Sequence, residues 1–121
     1  MQLQSTESTQ TIPQLSTTRD FDALLAEDLV VIFKHSNACD RSWAAHGEIT
    51  EFRRAQPDVA LYLVSVLDSR PVARHVETVS GVQHESPQVV VFRKGKVVGS
   101  ASHLAVTADR LTSIIQSTHV G

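Results

Sequence analysis

Residues 34–43 read KHSNACDRSW and hold the chain's single cysteine, Cys39, with Ser42 three positions further on. At that spacing a second cysteine would resolve the mixed disulfide formed by the first. A C-x-x-S site can form the mixed disulfide but cannot resolve it internally. The reacting species is the thiolate, and a thiol at a helix N-terminus faces unpaired N–H groups and the positive end of the helix dipole. Such settings bring a cysteine pKa from about 8.5 down to roughly 3.5–7.5. Arg41 should favour the thiolate and Asp40 oppose it. A free cysteine is otherwise most often a small buried apolar residue. Here His35, Ser36, Asn37, Asp40, Arg41 and Ser42 surround it, which argues against an apolar pocket.

Several elements must position that cysteine. LVVIF (29–33) is a continuous apolar run of strand length, and residues 41–56 place Ala45, Ile49 and Phe52 at helical spacing before Pro57 stops the helix. Cys39 lies between the two. VALYLV (59–64) is a second apolar strand, and strands of this type, buried on both faces, mark a sheet with helices on each side. A helix from Pro71 through Val72, Val76 and Val79 ends at Gly81, a favoured C-terminal stop. QVVVF (88–92) is a strand that turns at Gly95 in RKGKVV and returns as a hairpin. A last helix from Thr107 buries Leu111, Ile114 and Ile115. Before all of these, Thr18 caps a helix carrying Phe21, Leu24 and Leu25, and TIPQL (11–15) is an edge strand. In such an α/β sheet the functional crevice lies beyond the carboxyl ends of the parallel strands, where the segment after LVVIF emerges.

With 121 residues the chain suits one domain, 18–121, behind a polar leader, 1–17. A formal net charge of −2 offers no field for nucleic acid or an anionic membrane, and Arg53–Arg54 and RKGK (93–96) read as solvated surface. No apolar segment is long enough for a signal or a span, so a cytoplasmic location is expected. Six histidines are present, but Cys39 and His35 at a spacing of four form no metal signature, and no resident metal or cofactor is expected. An iron–sulfur cluster shared by two chains would need an external thiol ligand.

FKHSNAC with Ser42, then GVQHESPQVVVF and GKVVGSASH, resembles the monothiol bacilliredoxin family of bacillithiol-system proteins over roughly residues 19–117. The resemblance implies a thioredoxin-like fold, a central mixed β-sheet flanked by helices. It makes Cys39 the redox-active cysteine and Pro87 a cis-proline facing it. Two positions depart from it: family members usually have proline directly after the cysteine, where this chain has Asp40, and an aromatic residue where Leu104 stands.

The resulting expectation is a monothiol thiol–disulfide oxidoreductase. Cys39 would remove a low-molecular-weight thiol, bacillithiol by the resemblance, from mixed disulfides on S-thiolated client proteins. A second small thiol or a disulfide reductase would regenerate it. Arg41 and Ser42 would support the thiolate, while His35, His84, Ser86 and Pro87 would border the substrate, its backbone aligned beside Pro87 as an added strand. The alternative is a thioredoxin-fold binding or adaptor protein whose cysteine no longer turns over, a role that Asp40 would favour.

Overall fold

The strand LVVIFKH has no face left for solvent. In β1 (Leu29–His35) every residue after Leu29 is buried, so the strand needs neighbours on both edges and layers on both faces. The computed structural model, which describes residues 12–119, supplies them. β2 (Ala60–Ser65) pairs parallel with β1, in register from Val30–Ala60 to His35–Ser65. β3 (Gln88–Arg93) pairs antiparallel on the other edge, from Leu29–Arg93 to Lys34–Gln88. β4 (Lys96–Ser102) pairs antiparallel with β3 through a two-residue turn in which Lys94 and Gly95 both have positive φ, 53° and 81°. The strand order is β2-β1-β3-β4, a mixed sheet as expected.

Strand periodicity divides the core. Val31 and Phe33 point to one face, against Ala45, Ile49 and Phe52 of α2 (Asp40–Ala55) and Leu111 and Ile114 of α4 (Ala108–His119). Val30 and Ile32 point to the other, against Phe21 of α1 (Thr18–Leu24) and Val72, Ala73 and Val76 of α3 (Arg70–Ser80). Val79, expected on the inner stripe of α3, is 39 % exposed, and Ala73 takes the inward position instead. The cap of α1 is Thr17 rather than Thr18, its hydroxyl accepting the Asp20 N–H at 3.1 Å. Gly81 ends α3 in the left-handed conformation (φ 75°), as its position suggested.

The described part of the expected edge strand makes a single bridge, Gln14 to Leu63, with Leu15 N–H donating to the Leu63 carbonyl at 2.9 Å and Leu63 N–H to the Pro13 carbonyl at 2.8 Å. Thr11 lies outside the described residues. Ile12 and Leu15 are buried, so this stretch contributes to both faces of the core. No described helix is long and apolar enough to cross a membrane.

Candidate active site

At the carboxyl end of β1 the chain makes a turn, with the Cys39 N–H bonded to the Ser36 carbonyl at 3.3 Å, and then enters α2. Cys39 is the N-cap of that helix, in extended conformation (φ −120°), and its own carbonyl accepts the first helical hydrogen bond, from the Trp43 N–H at 3.2 Å. The thiol is partly exposed. It makes no cap hydrogen bond as a thiol, and the donors around it act on its charged form. The Ser42 backbone N–H lowers its pKa most. Desolvation opposes this, while the Arg41 N–H, the Ser42 hydroxyl and the Arg41 guanidinium add to the lowering. Asp40, expected to push the other way, is not among the groups that move it.

Ser42 is fully buried. Its hydroxyl oxygen accepts the Ser36 N–H at 3.2 Å and lies 3.4 Å from the Ser86 hydroxyl, which ties the first turn of α2 to the segment before β3. The Ser86–Pro87 peptide is cis and Pro87 is buried. The Pro87 carbonyl accepts the His103 N–H at 2.9 Å. Cys39, Ser42, Ser86 and Pro87, scattered in sequence, are thus brought to one edge of the sheet. Leu104, after His103, is 81 % exposed.

His35, expected to border the substrate, is 2 % exposed and packed, because β1 continues past Phe33 and turns the ring into the α2 side. The ring lies 4.6 Å from that of Trp43, edge to face, 5.2 Å from His46 and 5.5 Å from Phe33. Burial lowers its pKa first and His46 second, with the Ser42 backbone and the Asn37 side chain opposing. The polar residues around the cysteine are therefore not all solvent-facing: His35, Ser36 and Ser42 are buried, while Asn37, Asp40 and Arg41 are exposed. Trp43, not anticipated as a site residue, is half exposed and closes the turn by donating from Nε1 to the Asn37 carbonyl at 2.9 Å.

His84 lies on the opposite side, where its Nδ1 is 3.1 Å from Lys34 Nζ. Lys34 was not anticipated either. It is fully buried at the end of β1, and desolvation brings its pKa down to about 8 against a raising influence from Glu77. One signal was available, a charged residue directly continuing an apolar run. Among the described residues no three His, Cys, Asp or Glu side chains gather where they could hold a metal ion.

Comparison with known proteins bears on this edge. The family model described as monothiol bacilliredoxin BrxC matches residues 10–111. A solved structure described as a candidate oxidoreductase with a thioredoxin fold is 26 % identical over 86 % of this chain and 93 % of that one, with a TM-score of 0.81. The oxidised mitochondrial thioredoxin 3 of Saccharomyces cerevisiae is 22 % identical, covering 91 % of this chain and 98 % of that one, with a TM-score of 0.73. The thioredoxin of Trypanosoma brucei brucei is 14 % identical over 93 % and 95 %, with a TM-score of 0.76. The last two share the fold.

Proposed function

The chain belongs to the monothiol bacilliredoxin family, and from that premise we propose that it removes a low-molecular-weight thiol from mixed disulfides on client proteins. A thiol redox role follows from the family itself; the direction of transfer and the substrates are the proposal. The observation that carries it is a lone, partly exposed cysteine at the N-cap of α2, its pKa lowered first by the Ser42 N–H.

In the proposed cycle the Cys39 thiolate attacks the small-thiol sulfur of a client mixed disulfide. The bond between small thiol and client breaks, a bond between small thiol and Cys39 forms, and the client cysteine leaves as thiolate to take a proton from solvent. A second small thiol, as thiolate, then attacks the adduct, giving the small-thiol disulfide and returning Cys39 as thiolate. Atoms and electrons balance without a resident cofactor, and a disulfide reductase would return the small-thiol disulfide to thiol.

Ser42 cannot resolve the adduct, which makes the second thiol obligatory. Its buried hydroxyl, already accepting from Ser36, is placed to donate to the thiolate or to Ser86. The Pro87 carbonyl is engaged by His103, so a client backbone aligned there would use Ser86. Bacillithiol as the small thiol, S-thiolated clients and a cytoplasmic setting belong to this proposal.

The test is mass spectrometry of reduced protein mixed with a client carrying a small-thiol adduct. The adduct mass is expected to move to Cys39 before free small thiol is added and to leave it afterwards. An adduct that stays on the client while Cys39 remains reduced would overturn the proposal.

A further inference from the structure

A cavity of about 280 Å³ on the α3 side of the sheet has no part in the chemistry described so far, and Val66, Leu67, Arg70, Ala73, Arg74 and His84 line it. Its polar wall is cationic. Arg70 and Arg74 stand one helical turn apart on α3, on the same side of the helix. Among the described residues neither guanidinium is within ion-pair distance of a carboxylate.

Behind His84 lies the buried ammonium of Lys34, 3.1 Å from its Nδ1. An ammonium has only donors, so Nδ1 must accept and the proton of the neutral imidazole sits on Nε2, which becomes a donor. Protonation of His84 is disfavoured by burial first and then by Lys34, with Arg74 adding to this and Glu77 and Glu85 opposing it. The carboxylates nearby do not line the cavity. Glu77 Oε2 accepts the His84 backbone N–H at 2.7 Å, Asp68 Oδ2 accepts the Ser65 hydroxyl at 3.2 Å, and Glu85 lies 3.8 Å from His103 Nε2. The charged side chains that line the cavity itself are thus Arg70 and Arg74, and its other wall, Val66, Leu67 and Ala73, is apolar. A concave apolar site with a few convergent donors suits a small anionic ligand.

The cavity and the thiol site share the segment from His84 to Pro87. His84 and Ser86 are two residues apart, at most about 7 Å along the chain. Ser86 in turn lies 3.4 Å from Ser42, within the first turn after Cys39.

We propose that this cavity receives a carboxylate of the small thiol while its sulfur is joined to Cys39, with Arg70, Arg74 and His84 as the donors. The proposal rests on the transfer function given above and names its substrate class, a thiol carrying a carboxylate remote from its sulfur.

The test compares glutathione disulfide with the ester in which every one of its carboxylates is ethylated, as oxidants of the reduced protein. Each reaction joins one glutathionyl group to Cys39 and releases one glutathione thiolate. With each rate divided by that for free cysteine, the acid should react about tenfold faster than the ester at low salt, the order expected of charge-assisted hydrogen bonds. High salt should narrow the gap. The double variant Arg70→Gln/Arg74→Gln should lose the preference with the ester rate and iodoacetamide alkylation unchanged. Equal rates for acid and ester in the parent, or equal slowing of both in the variant, would overturn the proposal.

A second arm does not need thiol transfer: Cys39→Ser protein titrated with succinate, followed by the His84 ring resonances. A saturable shift, absent after Arg70→Gln/Arg74→Gln, is expected, and its absence from the Cys39→Ser protein would overturn the cavity assignment. If neither disulfide modifies Cys39 but the succinate shift saturates, the transfer function falls and the anion site stands.

Discussion

Lys34 and His35 are consecutive residues, both buried at the end of β1, and they meet opposite surroundings because a strand turns successive side chains to opposite faces. On the α2 side His35 enters an aromatic group with Phe33, Trp43 and His46, directly beneath the cysteine turn. On the α3 side Lys34 enters a polar group with His84 and Glu77, next to Arg70 and Arg74. The first side is aromatic and the second charged. A single strand terminus thus divides two environments of opposite character.

The largest expected effect breaks the α2 side outright. Cys39→Ser should abolish thiol transfer to background with the fold intact, since a hydroxyl is close in size but cannot form the mixed disulfide; equal activity in both proteins would refute the redox role. Next comes Ser42→Cys. The N-cap and third helical positions face the same side, so the new thiol should attack the adduct on Cys39, expel the small thiol and close an internal disulfide, all visible by mass. A stable adduct with no internal bridge would mean that the two positions are not neighbours.

The α3 side is sharpened by Lys34→Met. With its folded pKa near 8 and an ordinary lysine value near 10.4, the unfolded chain holds a proton the folded one gives up between those values. Stability of the parent should therefore rise with pH across that window, and the variant should lack this rise. At pH 7 the variant should be as stable or more so, by up to about 2 kcal/mol, as expected when a buried charge is replaced by an apolar side chain of similar length. Denaturant titrations at several pH values decide it.

Acid tests the other face. Burial lowers the His46 pKa, and burial followed by His46 lowers that of His35. Below about pH 6.5 the unfolded chain takes up protons that these rings refuse, so stability should fall with falling pH. His46→Gln should flatten part of that fall; an unchanged acid limb would remove His46 from it.

The smallest effects concern charges flanking the thiol. Arg41→Gln should raise the Cys39 pKa only slightly, since the exposed guanidinium is the weakest of the influences that lower it. Asp40→Asn should leave it nearly unchanged. The pH dependence of iodoacetamide alkylation measures both, and a large fall on removing Asp40 would restore the opposing role expected from sequence.

Much of the frame is legible in the amino-acid sequence. The helical spacing of Ala45, Ile49 and Phe52, the apolar runs of three strands, and Gly81 as a stop each report a local requirement that one residue type meets. Cys39 at the start of a helix follows from its place between two such patterns. Val79 and Thr18 mislead because a helix stripe wide enough to admit Val76 also admits Val79, and because neighbouring threonines are equal candidates for a cap.

What the residues determined alone was therefore the order of elements and the place of the lone cysteine at the start of a helix, since both depend on neighbours in the chain. The tertiary structure decided which polar residues are inside. Lys34, His35 and Ser42 look like solvent-facing members of a loop, and they are buried because β2 flanks β1 as far as His35, β3 as far as Lys34, and the Ser86–Pro87 segment closes over α2. Burial of a polar side chain depends on what packs around it from distant parts of the chain, and no pattern local to residues 34–43 carries that information.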